Sequence, residues 1–320
     1  MSTESSTIRW GISATGGIAH AFARDIQWAK GASLAGVTSR DPAKAMAFAK
    51  EHPGIETFDT LEAMAASDHV DAIYVASPHS VHLDQALVAL KAGKPVLVEK
   101  PITSSSRAAK KLSEASFNAR TFAMEAMWTR YLPAVQTARQ LIGTGRIGTV
   151  RTIGCELAWH RPYDPQNRFF DPAKGGGALL DLGVYPVSLA CFFLGEPDRI
   201  EGNWTEAPTG VDVSAEITLG FGDATAELSC GFDRNGDNRF VIEGDKGTLV
   251  LGMPFIGARI LGRYGSPTMA DLAFPGGERF GSRFRRTIGA EPDNTMSDSI
   301  MVLEIVETVL AEEPKESWKP

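Results

Sequence analysis

The sequence has little of what would indicate a metal cluster, a nucleic-acid surface or a membrane span. Its three cysteines, Cys155, Cys191 and Cys230, share no close spacing and so carry no zinc or iron–sulfur signature. The formal net charge of -7 argues against a nucleic-acid binder, because phosphate affinity is built from clustered Lys and Arg. We find no apolar run close to the roughly 18 residues of a membrane span and no export signal. We therefore expect a cytoplasmic protein with no nucleic-acid or membrane partner.

Two further features give weak signals. His79 and His82 in "SPHSVH" come without a third ligand, so we predict no metal site there. The basic stretch over 278–288 is typical of a solvated loop.

The chain length and the order of apolar segments indicate two domains. From residue 7 to 130, short β-branched runs alternate with helical segments, which implies right-handed crossovers and a parallel sheet. After about residue 145, strand-like runs are separated by short turns, which favours antiparallel hairpins. We predict an α/β Rossmann domain with a parallel sheet over residues 1–127. An α+β domain with a large, mostly antiparallel sheet should follow over residues 128–320.

The stretch "RWGISATGGIAH", residues 9 to 20, lies where the first strand meets the first helix. A dinucleotide-binding turn has the pattern G-x-G-x-x-G, in which the middle glycine allows the closest approach of backbone to pyrophosphate. Reading from Gly11 puts Ser13 in the middle, whereas Ala14-x-Gly16-x-x-Ala19 keeps glycine there. We therefore predict that the cofactor-binding turn comprises Ala14, Thr15, Gly16, Gly17 and Ile18. A glycine-rich turn without a nucleotide is the alternative.

The second strand ends in "GVTSRDPAK", which places Ser39 and Arg40 where the adenosine ribose would lie. A hydroxyl and a guanidinium together suit a 2′-phosphate, so the segment predicts NADP. A surface arginine beside Asp41 as a helix cap is the alternative. The charge of Asp41 also leaves NAD possible.

The segment "VEKPIT" places Lys100 at a strand end, because Pro101 disfavours a helical conformation for the residue before it. There an ammonium can hydrogen-bond a ribose or a reacting oxygen, although a solvated lysine is the alternative. We expect further cofactor contacts along the same sheet edge from Ser77, Pro78, His79, His82 and Glu99.

Four stretches together, "VLVEKPIT", "MEAMWTRYLPA", "GGGALLDLGVYPV" and "TSRDPAKA", resemble the glucose-fructose oxidoreductase/inositol dehydrogenase (Gfo/Idh/MocA) family. The likeness is greatest to its branch of dimeric dihydrodiol dehydrogenases and NADP-dependent D-xylose dehydrogenases. The resemblance implies an open sheet in the second domain, often used to form dimers or tetramers. It also implies reversible NADP-dependent hydride transfer to or from a secondary alcohol of a sugar, cyclic polyol or trans-dihydrodiol.

The same resemblance implies that Lys100, Asp181 and Tyr185 are the catalytic group. Tyr185 would act as acid/base, a role that histidine has in other members, because a base must take the hydroxyl proton when hydride leaves. The ordinary pKa of tyrosine is near 10, so the Lys100 ammonium would help to stabilise a phenolate. Asp181 lies four residues before Tyr185, on the same face of the predicted helix, and would orient Lys100 or a substrate hydroxyl. A core aromatic is the alternative for Tyr185.

Weaker expectations concern the neighbours of this group. Trp128 and Arg130 would contact nicotinamide and substrate, or else pack between domains, and the substrate candidates in the loop before the predicted helix are Arg161, Asn167, Arg168 and Phe169. His79 stands where many relatives carry asparagine, and Ala14 replaces the first fingerprint glycine with the smallest side chain. Two other functions stay open: an NAD-dependent glycosidase that retains its cofactor, and a non-catalytic NADPH-binding regulator.

Overall fold

The computed structural model describes residues 7–264, 270–273 and 292–320, which form two compact units. The first unit comprises 7–126 with 292–296, and the second comprises 127–264, 270–273 and 297–320. Residues 292–296 belong to the first unit, although they lie within the range 128–320 that the sequence assigns to the second domain. The basic stretch over 278–288 lies outside the described residues.

The first unit is built on a parallel sheet of six strands among its described residues, in the order β3-β2-β1-β4-β5-β6. This order is that of a dinucleotide-binding fold, with its switch point between β1 and β4. The strands are β1 (Ile8–Ser13), β2 (Ala32–Thr38), β3 (Glu56–Phe58), β4 (Ala72–Val75), β5 (Val96–Val98) and β6 (Ala123–Glu125). The helices are α1 (Gly17–Ile26), α2 (Pro42–Glu51), α3 (Leu61–Ala66), α4 (His82–Lys91) and α5 (Ser106–Ala119).

Local signals explain several of these helix starts. Asp41 caps α2 by accepting a hydrogen bond from the Ala43 amide at 3.0 Å, and Pro42 occupies the first helical position. Thr60 caps α3 in the same way. Sequence reasoning did not find β3 or α3, because a three-residue strand and a six-residue helix are too short to display a period.

The second unit contains a sheet that has nine strands among its described residues, in the order β14-β13-β12-β11-β7-β10-β9-β8-β15. Its neighbours are antiparallel except for the pairs β7/β10 and β8/β15. These strands are β7 (Val150–Ala158), β8 (Arg199–Glu206), β9 (Asp212–Phe221), β10 (Ala224–Gly231), β11 (Phe240–Gly244), β12 (Gly247–Leu251), β13 (Ile260–Tyr264), β14 (Ala270–Ala273) and β15 (Glu316–Ser317). The helices are α6 (Pro133–Gly143), α7 (Val184–Leu194) and α8 (Met296–Leu310). The predicted fold class is confirmed.

The segment Pro172–Leu194 corrects one expectation from the sequence. By length and composition it is apolar enough to cross a membrane, whereas the sequence pattern predicts no such run. Its most apolar 18-residue window is 78% buried inside the protein, as expected for the core helix of a folded domain. Leu179, Leu182 and Val187 belong to the same buried cluster as the inner face of the sheet.

Candidate active site

Backbone hydrogen bonds bring four predicted loops to one edge of the first unit's sheet. The Ala14 amide donates to the Thr38 carbonyl at 2.9 Å, and the Ala76 amide donates to the Ser13 carbonyl at 3.0 Å. The Glu99 amide donates to the Val75 carbonyl at 2.9 Å. The loops after β1, β2, β4 and β5 are therefore neighbours at the carboxyl ends of the strands, where ligands bind in such sheets.

The turn between β1 and α1 has open space above its middle glycine. Gly16 is exposed and has ordinary extended backbone angles (φ -77, ψ 177), and a Cβ built on it meets no atom within 4 Å. The same is true of space above Gly17, which begins α1. Neither glycine is required by packing inside the protein, so the site can accept a group that approaches the backbone there. Thr15 and Ile18 flank this surface and are half-buried.

Ala14 has a conformation that an alanine adopts only at a cost. Its φ is +94, in the region that favours glycine. The small size of alanine, from which the sequence predicts that Ala14 is tolerated, is therefore not the property that matters, because the turn constrains the backbone angle. The turn keeps its glycine-like shape with alanine in the first fingerprint position.

The predicted 2′-phosphate segment follows β2 directly. Arg40 is exposed, and the Ser39 hydroxyl accepts a long hydrogen bond from the Asp41 amide at 3.3 Å. The Asp41 carboxylate is occupied by its cap bond to Ala43. Asp41 is therefore the cap of α2, and the neighbouring Arg40 is exposed to solvent.

Two loops along this edge are joined by His82, which is fully buried. Its Nδ1 lies 2.9 Å from the Pro101 carbonyl oxygen, and its Nε2 lies 2.7 Å from the Ser77 carbonyl oxygen. Burial lowers the pKa of His82. This geometry gives the ring a structural role, and its predicted cofactor contact stays a prediction.

The Ser77 hydroxyl differs from its neighbours along the β4 loop. Its oxygen is buried and has no hydrogen-bond partner among the described residues, which is unusual for a buried polar atom. Pro78 is half-buried beside it, and His79 is buried with its ring 5.7 Å from that of His82.

The backbone around Lys100 is held by side chains on both sides. The Lys100 amide donates to Glu99 Oε2 at 3.1 Å, and the Ile102 amide donates to Glu125 Oε1 at 2.9 Å. His82 meets the carbonyl of Pro101 between them, and the Lys100–Pro101 peptide bond is cis. Three buried side chains thus fix three consecutive residues. Sequence reasoning missed Glu125, although an acidic residue in the otherwise apolar β6 is the signal that marks it.

The Glu99 side chain is buried, and its predicted cofactor contact stays a prediction. Its carboxyl accepts a short hydrogen bond from the Tyr74 hydroxyl in addition to the bond from Lys100. Burial raises the pKa of Glu99 to about 7, against the hydrogen bond from Tyr74 and the charge of Lys100, which lower it. Glu99 supports the turn that carries Lys100.

In the second unit, Tyr185 lies on α7 and is 3% exposed. Its ring is 6.0 Å from that of Trp128, measured between centroids, with an angle of 36° between the planes. The Trp128 indole nitrogen donates to the Ile256 carbonyl at 2.7 Å. Trp128 therefore offers Tyr185 an apolar wall whose polar edge is already bonded within the unit.

Asp181 does not lie on a regular α-helix as expected. It belongs to a π-helical turn (Leu179–Gly183) that leads into α7, and such turns are frequent at functional sites. Both terminal nitrogens of Arg168 lie 3.4 Å from Asp181 Oδ1. Arg168 and Arg161 both lie against the Phe169 ring, at 4.1 and 4.5 Å from its centroid. The structure thus brings three substrate candidates together beside Asp181, while Asn167 is exposed in the same loop.

The start of the π-helical turn depends on a carboxylate that the sequence argument did not identify. Asp212 accepts a hydrogen bond from the Leu179 amide at 2.6 Å and is buried. Burial raises the pKa of Asp212 to about 6. A Cβ on Gly177, whose φ is +118, would overlap Asp212 Oδ1, so glycine is required there.

Arg130 is buried and bonded inside the second unit, and its predicted contact with cofactor stays a prediction. It is 1% exposed, and its Nε donates to the Ser188 hydroxyl at 2.9 Å. Its Nη1 lies 3.1 Å from Asp298 Oδ1 in an ion pair. Ser188 is three residues after Tyr185 on α7, so Arg130 fixes the helix that carries the tyrosine.

Comparison with known proteins shows the family to which the chain belongs. Residues 8–123 match a family model described as "Oxidoreductase family, NAD-binding Rossmann fold", and residues 135–250 match the GFO/IDH/MocA C-terminal domain. Fold and matches together define an oxidoreductase built on a dinucleotide-binding domain. The chain belongs to the GFO/IDH/MocA family, as its motifs predicted.

Two relatives and one solved structure illustrate the likeness. D-xylose 1-dehydrogenase (NADP(+)) of Hypocrea jecorina is 37% identical over 249 residues, which are 72% of this chain and 63% of that protein. Trans-1,2-dihydrobenzene-1,2-diol dehydrogenase of Macaca fascicularis is 30% identical over 76% of this chain and 74% of its own length. The crystal structure of the 3-ketoreductase KijD10 from Actinomadura kijaniata with NADP and TDP-benzene superposes with a TM-score of 0.86. It is 25% identical and covers 98% of this chain and 99% of its own. The chain thus spans less than two thirds of the D-xylose dehydrogenase.

Proposed function

We propose that the chain is an NADP-dependent dehydrogenase acting reversibly on a secondary alcohol of a sugar, a cyclic polyol or a trans-dihydrodiol. The printed activities of the D-xylose and dihydrodiol relatives support this range of substrates. The NADP named for the D-xylose dehydrogenase and for the 3-ketoreductase supports the choice of cofactor.

The first unit offers groups that suit such a cofactor. The open space above Gly16 and the amides at the start of α1 suit a pyrophosphate, because helix N-termini favour anions. The buried, unpartnered hydroxyl of Ser77 suits a polar group of the cofactor. Exposed Arg40 suits a 2′-phosphate, and the cap bond of Asp41 reduces its availability to ribose hydroxyls.

Bound nicotinamide supplies a carbon that accepts or returns a hydride. The chain supplies the proton transfer: Tyr185 Oη takes the hydroxyl proton of the alcohol, or returns it to the carbonyl oxygen in reduction. Lys100 provides a positive charge that stabilises the phenolate. Asp181 orients the substrate through its pairing with Arg168.

The observation that carries this proposal is the construction of the turn at Lys100. Three buried side chains contact the backbone of residues 100–102, namely those of Glu99, His82 and Glu125. Burying two carboxyl groups costs free energy of folding. A lysine that served only solubility would not need this support for its backbone. Such support is expected for a side chain that must be held in position for chemistry.

The test is formation of NADPH at 340 nm with D-xylose, D-glucose, inositols, 1,5-anhydro sugars and a trans-dihydrodiol, each with NADP and with NAD. We expect turnover on at least one member, with NADP preferred. Release of a sugar without net reduction would instead identify a glycosidase that retains its cofactor. Binding of NADPH without any turnover would favour a regulator.

Tyr185→Phe tests the proton-transfer role. The variant should lose about 10²- to 10⁴-fold in kcat while its affinity for NADP stays unchanged, since only the hydroxyl is removed. Tyr163→Phe is the matched control, because Tyr163 packs against Phe170 and Trp318 in the same unit. Equal activity in both variants would overturn the role of Tyr185.

Arg40→Ala tests the phosphate contact. It should raise KM for NADP about tenfold or more and leave KM for NAD nearly unchanged, because only NADP carries the 2′-phosphate. Arg107→Ala, at an exposed arginine of α5, is the control. Parallel changes for both cofactors would remove the support for NADP from this residue.

We also propose that the chain forms a dimer or tetramer through the outer face of the second unit's sheet. That face carries exposed side chains such as Thr152, Glu216 and Glu227 on adjacent strands. Light scattering should give two or four times the 34.4 kDa mass of one chain, and a monomer at assay concentration would overturn this proposal.

A further inference from the structure

Three metal-ligating side chains meet in the first unit where α1 approaches the end of α2. His20 Nδ1 lies 3.4 Å from His52 Nε2 and 3.4 Å from Glu51 Oε2. The three potential ligand atoms all lie within 4.8 Å of one another. None of these residues belongs to the candidate active site described above.

The distances are long for hydrogen bonds and suitable for metal ligands. Charge-assisted hydrogen bonds between nitrogen and carboxylate oxygen are about 2.7–2.9 Å, and neutral ones seldom exceed about 3.2 Å. Ligand atoms bound tetrahedrally to zinc at about 2.0–2.1 Å are separated from each other by about 3.3–3.4 Å. Both measured separations from His20 Nδ1 have this value. The cluster therefore has the spacing of two edges of a zinc coordination tetrahedron.

Packing holds the two imidazole rings in place. The ring of Phe48, which is 1% exposed, lies 4.5 Å from the ring of His20 and 4.6 Å from that of His52. The His52 amide is also bonded to the Phe48 and Ala49 carbonyls at the end of α2. A ligand pair whose rings are already oriented loses little freedom on binding an ion.

We propose that His20, Glu51 and His52 bind a divalent transition-metal ion, of which zinc is the best fit, with water completing the coordination. Two imidazoles and one carboxylate are a known zinc ligand set, and an open fourth position accompanies three protein ligands. Glu51 is 65% exposed in its side chain, and the positive charge of Arg24 acts on His52. Both features weaken the site.

Competing metal ligands on the described surface are few. All three cysteines are buried, and both ring nitrogens of His82 face carbonyl oxygens. His69 is an exposed histidine whose Nδ1 lies 3.8 Å from Glu56 Oε2. Among the described residues it belongs to no group of three potential metal ligands. His69→Gln therefore serves as a matched control.

The experiment uses the full chain without a histidine tag, stripped with a chelator and exchanged into metal-free buffer. Zn²⁺ is titrated by calorimetry, and Co²⁺ is titrated separately while its visible absorption is recorded. We expect one ion per chain and the intense visible bands of a tetrahedral cobalt site. His20→Gln and His52→Gln should each weaken Zn²⁺ binding by at least about tenfold, and His69→Gln should leave it unchanged.

Two results would overturn the inference. One is the absence of Zn²⁺ binding by the wild type up to about 100 μM. The other is equal binding in His20→Gln, His52→Gln and His69→Gln. If circular dichroism shows that His52→Gln is unfolded, Glu51→Gln replaces it, because Glu51 is exposed and its loss leaves the packing on Phe48 intact.

Discussion

Replacing Gly16 with alanine separates cofactor binding from folding. Gly16 has φ -77, which alanine adopts freely, and a Cβ there meets no protein atom within 4 Å. The folded protein therefore gains no strain. Since alanine also has less freedom in the unfolded chain, we expect the free energy of unfolding to stay unchanged or to rise by up to about 1 kcal/mol.

The effect on NADP should be large in the opposite direction. In a dinucleotide fingerprint the middle glycine lets the backbone approach the pyrophosphate, and a methyl group keeps the phosphate away. The loss of one charge-assisted hydrogen bond costs about 1.5–3 kcal/mol, which corresponds to a rise in Kd of about 10- to 150-fold.

The assay measures the Kd for NADP by calorimetry and stability by denaturant unfolding, on the same preparations. Gly143→Ala is the matched control, because Gly143 ends α6 in the second unit and also has open space around its Cβ position. It should change stability by a similar amount and leave the Kd unaltered. An unchanged Kd in Gly16→Ala would refute the register Ala14-x-Gly16-x-x-Ala19.

Three other changes test features of the fold. Ala14→Gly should raise the free energy of unfolding by up to about 1 kcal/mol, because relief of the positive φ, worth about 1–2 kcal/mol, exceeds the added freedom of the unfolded chain; denaturant unfolding would show no gain if that angle were unstrained. Because the pKa of Glu99 is raised to about 7 from 4.5, its contribution to stability is greatest below the lower value and falls by about 3 kcal/mol as pH rises through that window; Glu99→Gln should flatten this slope in unfolding experiments at pH 5 to 8, and an equal slope in the variant would exclude Glu99 as the cause. Arg130→Met should destabilise the protein by about 3–5 kcal/mol, because it removes a buried guanidinium that bonds Ser188 and pairs with Asp298, whereas exposed Arg139→Met, which removes a guanidinium over the same Phe192 ring, should cost less than about 1 kcal/mol in denaturant unfolding; similar losses would contradict the assignment of Arg130.

The sequence was sufficient for the fold class because its signals are local and repeated. β-Branched runs alternate with helical segments up to residue 130, and short turns separate the later strands. It also placed Lys100 near the end of a strand, because Pro101 disfavours a helix there, and Tyr185 on a helix; β5 ends at Val98, and α7 contains Tyr185. These signals depend on neighbours along the chain, which one sequence displays.

Side-chain partners distant in sequence were not predictable in the same way. Arg130 donates a hydrogen bond to Ser188 and forms an ion pair with Asp298, which are 58 and 168 residues away. No local sequence pattern shows these contacts. Glu99 and His82 are predicted to contact cofactor because they lie at the right edge of the sheet, and the sequence does not show that their side chains also bond the backbone of a loop. Strand order tells which edge a residue occupies and leaves the direction of its side chain undetermined.

The angle at Ala14 has a consequence for how relatives of this chain are recognised. A search pattern written in residue letters requires glycine at that position and passes over a sequence that meets the same requirement with alanine. A pattern written in backbone angles would accept both, because φ here is +94, a glycine-like value, with alanine at the position. Chains with an imperfect fingerprint and an intact E-K-P segment are therefore worth testing for nucleotide binding.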